Sequence, residues 1–433
     1  MKKRFWRIPA SILLLAGIAV VIIWQLGFFY QKEPVSFSEH PLTSLMKETV
    51  AEKQRFTKPA AAEIQSGTLK LLRDEVGSAP YVASWYLLSG TVSTQPALCS
   101  NVYLCRDQIA LVRSYVSLGK KSEARELLQA IYEDFLGEDG FLQASMTAEE
   151  LGITSKIPTD DIYDTIANME SSVGIGLLYI DAYLHYYEKW GLSEDWENIK
   201  IRAAELCPPG EIFEENVPFF QADIAARPVD EVNPEIPLPS ETNIVPFAGT
   251  PISSLSLETL RILSEIENAY EADYEKARNI VEGAQISAEV PLFAAFYSED
   301  SYFYFVGNIP SARTKDSLFV MLTLAEENKL GDREKLWIKN QMYTMEGFSE
   351  SYDIFSGQAT GSSARAEVYA LVLQIARYVG DDAMYALAYE RLQRFFAVAE
   401  GSAARGTLFQ TTEDNRILIR ACDNLQAVIG ISE

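Results

Sequence analysis

"NVYLCRDQIALVRSYVSLGKK", residues 101–121, passes from a polar loop into a helical pattern and out through a turn. From Asp107 onward, Ile109, Leu111, Val112, Tyr115 and Val116 recur at three- and four-residue steps, which predicts an amphipathic helix over 107–118. The connection "LGKKSE" (118–123) is short enough to force a reversal, and a second helical pattern follows over 122–136. Helix, tight reversal and helix make an antiparallel hairpin. The pattern returns along the chain, at 40–56, 60–76, 168–190, 193–206, 255–267, 270–283, 314–328, 332–344, 363–379, 382–398 and 415–430. "NKLGDRE" and "YVGDDA" are two more of the short connections.

About a dozen helices in hairpins can build a bundle, an open solenoid, or a closed ring of six inner and six outer helices. A solenoid requires a nearly fixed repeat length, and none appears. The loops are unequal instead. "GTVSTQPALCSNVYLC" (90–105) and "SMTAEELGITSKIPTDDIYDT" (145–165) are long, and residues 207–255 hold nine of the eighteen prolines. Long loops on one side of a hairpin array suit a ring with a walled cleft at one end. The Pro-rich stretch could link two helical domains, but its runs "EIFEENVPFFQ" and "NIVPFAG" favour packing within one. The expected fold is therefore all-α, an (α/α)6 toroid over 76–433.

The chain opens with "MKKRFWRIPASILLLAGIAVVIIWQLGFFYQKEP", and no charge falls between Ile8 and Phe29. About 22 residues rising ~1.5 Å each span roughly 33 Å, one bilayer crossing. Lys2, Lys3, Arg4 and Arg7 should stay cytoplasmic and leave the rest outside, with Trp6 and Trp24 near the two interfaces. No small-residue cleavage site follows the apolar run, which favours an uncleaved anchor over a cleaved signal. The expected division is a cytoplasmic tip and transmembrane helix over 1–30, a juxtamembrane helical region over 31–75, and the toroid. That places the protein at the cell membrane, single-pass, with its C-terminal domain extracytoplasmic.

The net charge is −24, although four cations sit in the first seven residues. So acidic a surface argues against nucleic acid and against adsorption to anionic polymers, and favours neutral or cationic ligands. The only histidines, His40 and His185, lie far apart. That gives no zinc pattern and no His-based nucleophile activation, and no metal or cofactor is expected. Cys99 and Cys105 could close a small disulfide loop or remain thiols. Hydrolytic chemistry, if present, must rest on carboxylates.

Three acids stand at helix starts after long loops: Asp107, Glu170 in "DTIANMESSVGIGLLYIDAYLHYYEKWG", and Asp316 in "IPSARTKDSLFVMLTLAEENK". Each alone reads as a cap or as a charge that suits the positive end of the helix dipole. On successive inner helices of a ring, all three would converge on one cleft.

These stretches, in order over roughly 75–430, resemble glycoside hydrolase family 8, particularly members from Gram-positive exopolysaccharide operons. "SGTVS" with "NVYLCRDQIALVRSY" is similar to the family's first inner helix, and "KDSLFVMLTLAEENKLGDREKLWIK" to its general-base helix. "SSARAEVYALVLQIARYVGDD" and "ACDNLQAVIGI" resemble its C-terminal part. The resemblance implies Asp107 at the general-acid position, Asp316 at the general base, and Glu170 as a sugar-binding residue. It also implies inverting hydrolysis of β-linked sugars, in which the two carboxyls stand roughly 6.5–9.5 Å apart.

The departures from the family are local. Asp107 is one methylene shorter than the family's glutamate, and Arg106 and Gln108 replace two serines beside it. A displacement of about 1 Å can cost on the order of a hundredfold in rate. An arginine paired with the acid would also favour its ionised form. Trp85, Tyr86, Tyr302 and Tyr304 are candidate sugar platforms, with core packing as the alternative for each.

Two functions of different class fit. One is a membrane-anchored glycosidase, slow because of these changes, that acts on an exopolysaccharide or cell-surface glycan. The other is a catalytically inactive glycan-binding or assembly subunit beside a membrane glycan synthase.

Overall fold

The computed structural model describes residues 58–89, 96–160, 172–213, 216–220, 224–227, 244–306, 310–344 and 346–432. They contain twelve α-helices: α1 (Lys58–Leu69), α2 (Cys105–Ser117), α3 (Lys121–Asp134), α4 (Ser172–Trp190), α5 (Ser193–Leu206), α6 (Leu257–Ile266), α7 (Glu271–Gly283), α8 (Thr314–Glu326), α9 (Asp332–Tyr343), α10 (Ala366–Val379), α11 (Asp382–Gln393) and α12 (Ala421–Ser432).

The even-numbered helices form a closed inner ring. Each packs on the next, and α12 returns to α2. α3, α5, α7 and α11 lie outside α2, α4, α6 and α10, while α9 leans on α11. The last place in the outer layer goes to the first helix, because α1 packs on α12. The fold is thus the expected (α/α)6 toroid. Its first helix belongs to the ring, so the ring begins by Lys58 rather than at residue 76. The part of the expected juxtamembrane region from Lys58 onward is core, with Ala61 and Ile64 buried.

Residue pattern explains which helices go inside. α10 buries every residue from Ala366 to Arg377, as a helix surrounded by neighbours must. α9 fully buries only Glu334, Ile338 and Met342, one stripe at four-residue steps. Trp337 is half-buried against Phe348 and Tyr352, and the remaining residues of α9 are partly or wholly exposed. α10 ends at Gly380, whose φ of 69° is the left-handed conformation that closes helix C-termini. Gly430 lets α12 approach α10 closely: a Cβ there would stand 2.7 Å from the Ala370 carbonyl oxygen.

The described residues also contain short strands, which the all-α expectation missed. One sheet runs in the order 410–411, 417–420, 85–87, 98–100 and 159–160; another pairs 351–353, 310–313, 301–306, 296–298 and 250–251. Strands 102–104, 310–313 and 417–420 run straight into the heads of α2, α8 and α12. The last corrects the helix expected over 415–430. Ile417–Arg420 is extended and paired with Trp85–Leu87, and the helix starts only at Ala421. Alternating β-branched residues there favour the pleated surface over the helix.

The expected anchor over 8–29 lies outside the described residues, and among those described no helix is long and apolar enough to cross a membrane. The four cysteines are free thiols, which removes the Cys99–Cys105 disulfide alternative.

Candidate functional site

Four inner helices bring charged residues together at their heads. Asp107 stands in the first turn of α2, Asp316 in that of α8, Glu367 in that of α10 and Asp423 in that of α12. Glu367 carries two cations: Lys315 Nζ lies 3.4 Å from Oε1, and Arg365 Nη2 lies 3.5 Å from Oε2. The Glu367 backbone N–H donates to Asp423 Oδ1 at 3.0 Å, which ties α10 to α12. Asp316 sits in the field of Arg313, Lys315, Arg106 and Glu367. Cys422 feels Glu367, Asp423, Arg365 and Asp107. The structure therefore gathers Asp107 and Asp316 into one cluster. Glu170 lies outside the described residues.

The two acids are presented differently. Asp107 is buried, with 2% of its surface exposed, whereas Asp316 is half-buried. The stripe of α2 that faces the ring axis is Arg106, Ile109, Ala110 and Arg113, at steps of three and four. Asp107 leaves the helix about 100° around from that stripe. The side chain aimed at the centre from the head of α2 is therefore a guanidinium, stacked 4.2 Å from the Phe319 ring centre.

Environment separates these carboxyls further. Burial raises Asp316, and Arg313, Lys315 and Arg106 only partly offset it. Asp423 is also raised by burial, against the pull of Arg365. Glu367 is buried too, but Lys315, Arg365 and Arg106 outweigh that and hold it below the usual range. A raised carboxyl can donate a proton or, once ionised, act as the stronger base, so the raised Asp316 is compatible with the base role implied by resemblance.

The proposed sugar platforms are mostly core. Trp85 is 1% exposed and packs with Leu87 and Leu418. Tyr86 is buried, and its hydroxyl donates to Glu75 Oε2 at 3.1 Å. Tyr304 is buried in the strand 301–306. A ring buried on both faces cannot stack on sugar, so these three are corrected to structural residues. Tyr302 is half-buried, donates to the Ile280 carbonyl at 3.0 Å and pairs with the Tyr297 ring, which makes it a brace between strand and α7.

Lys315, Arg365, Glu367 and Asp423 were not singled out from sequence. The signal was present: "ARAE" and "ACD" open α10 and α12 as "CRD" opens α2.

Below the heads lies a chamber of about 90 Å³ on the ring axis, lined in part by Arg106, Arg113, Asp181, Glu326, Gln374 and Gln426. A second charged layer borders it. Arg113 of α2 pairs with Asp181 Oδ2 of α4. Asp181 Oδ1 faces His185 Nε2 at 3.7 Å. Glu258 of α6 stands 3.6 Å from Arg261, which also binds Glu327 at 2.8 Å. Burial raises Asp181 despite Arg113, and burial with the Asp181 charge pushes Glu258 up to about 8.

No family model matches the chain, and no curated protein matches it. Solved structures do. A novel alpha-amylase from Clostridium perfringens matches at 18% identity and TM-score 0.63, over 88% of this chain and 99% of that one. A GH8 protein in complex with xylobiose from Teredinibacter turnerae matches at 11% identity and TM-score 0.53, over 90% and 96%. A reducing end xylose-releasing exo-oligoxylanase matches at 12% identity and TM-score 0.51, over 91% and 97%. The likeness is one of fold: this chain is built on the (α/α)6 toroid of the family 8 glycoside hydrolases.

Proposed function

We propose that the protein engages a polysaccharide at the helix-head end of its ring and that hydrolysis there is weak or lost. Arg106 carries this reading. It takes the axis-facing position at the head of α2, while the adjacent carboxyl, Asp107, is 2% exposed. Inverting hydrolysis needs a carboxyl that reaches the leaving oxygen and a second, ionised one that reaches water. Asp316 is half-buried among Arg313, Lys315 and Arg106, and Glu367 is paired with two cations, so neither acid stands clear of positive charge. A sugar, by contrast, finds donors and acceptors side by side in such a cluster, with Phe319 beneath Arg106.

The apolar, uncharged run from Ile8 to Phe29 after a basic tip supports a membrane anchor with the ring outside the cell. A binding or assembly role beside a membrane glycan synthase then follows, with an exopolysaccharide as ligand. The second reading is a slow glycosidase, and the position of Asp316 at the head of an inner helix favours it. The test is to offer the purified full chain xylan, an α-glucan and neutral or partly deacetylated β-linked glycans. Binding without release of reducing ends is expected. Release that Asp316→Asn abolishes would establish the glycosidase.

A further inference from the structure

Asp181, His185 and Glu258 offer one donor atom each within 4.8 Å of one another. Asp181 and His185 are one turn apart on α4, and Glu258 comes from the first turn of α6. His185 lies between the half-buried Asp181 and the buried Glu258. Arg113 engages Asp181 through Oδ2, so Oδ1 is the oxygen turned to His185 Nε2, 3.7 Å away. Two ligands at 2.0–2.1 Å from a tetrahedral ion stand roughly 3.4 Å apart, so little movement separates this pair from a coordinating one.

Glu258 supplies the independent observation. Its side chain is 3% exposed, and Oε1 makes no hydrogen bond; Arg261 approaches it only at 3.6 Å. A buried carboxylate oxygen without a hydrogen bond is costly unless something occupies its lone pairs. Three acids, Asp181, Glu258 and Glu327, face two arginines, Arg113 and Arg261, and a bound cation would take the place of the proton that burial and the Asp181 charge keep on Glu258. Asp181 also borders the axial chamber, which offers an entry path and space for water ligands.

We propose that Asp181, His185 and Glu258 form a binding site for one divalent transition-metal ion of the zinc type, which ties α4 to α6. One imidazole and two carboxylates suit zinc, whereas magnesium and calcium prefer oxygen alone. Three protein ligands leave a position for water from the chamber. Arg113 remains on Asp181 Oδ2 and orients that ligand.

The experiment is zinc titration of the metal-stripped full chain by calorimetry, with cobalt(II) as a spectroscopic probe. One tight zinc per chain is expected, with a rise in Tm. Cobalt should give the visible absorption band of a tetrahedral site. His185→Ala and Glu258→Gln should each weaken zinc binding at least tenfold. His185→Gln, which keeps a polar side chain of similar reach, guards against a folding defect: it should fold like wild type and still bind weakly. Zinc affinity unchanged in these variants would overturn the proposal, because the acidic surface would then be holding the ion. A cobalt complex without the tetrahedral band would overturn it equally.

Discussion

Two charged layers cross the ring, and they are built differently. In the head layer every acid sits in the first turn of an inner helix: Asp107, Asp316, Glu367 and Asp423. The positive ends of four helix dipoles support them before any side chain does. In the deep layer only Glu258 sits at a helix head; Asp181 and His185 lie in the middle of α4, where the dipole gives nothing, and arginines from α2 and α6 carry the compensation. The head cations are also wetter, since Lys315 and Arg365 side chains are 29% and 21% exposed against 13% for Arg113. The head cations are therefore the more accessible of the two sets to a ligand.

The largest effect should come from the deep layer. Arg113→Met leaves Asp181 and Glu258 buried with one fewer cation, and about 3 kcal/mol of stability should be lost in urea unfolding. Glu367→Gln in the head layer should cost less, about 2 kcal/mol, because Lys315 and Arg365 can turn toward water. Equal losses would mean the layers do not differ as described. Ser256→Ala probes what sets the depth of α6. It removes the cap that accepts from the Thr259 N–H at 3.3 Å and should lower stability by about 1 kcal/mol.

The smallest effect is a pH dependence. Burial raises the Asp423 carboxyl. Its contribution is therefore intact below the ordinary carboxyl value, about 4, and is lost as pH rises through the raised one. The stability of Asp423→Asn relative to wild type should increase over that rise. A difference that stays flat with pH would contradict the raised carboxyl.

This contrast also explains what could be read from the sequence. Helices with strong periodicity and short connections, such as 107–118 and 122–136, appear within a few residues of where they were expected. Helix-head acids are local signals, so Asp107 and Asp316 could be found from neighbours along the chain. Their presentation could not: whether residue 106 or 107 faces the axis depends on how α2 is rotated against α12 and α4. The deep layer joins α2, α4, α6 and the end of α8, and no local pattern announces it. Asp181 and His185 do share the four-residue spacing of a helical pair, which was the one available hint. Trp85 and Tyr86 were misread because an aromatic cluster looks alike whether it lines a cleft or fills a core.

The most direct test of the central claim measures glycan binding and reducing-end release side by side, on the same polysaccharide, for wild type, Arg106→Ala and Asp316→Asn. With Arg106 rather than a carboxylate at the axis-facing position of the head of α2, wild type should bind without release, and Arg106→Ala should bind at least tenfold more weakly. Sustained release by wild type that disappears in Asp316→Asn would contradict it.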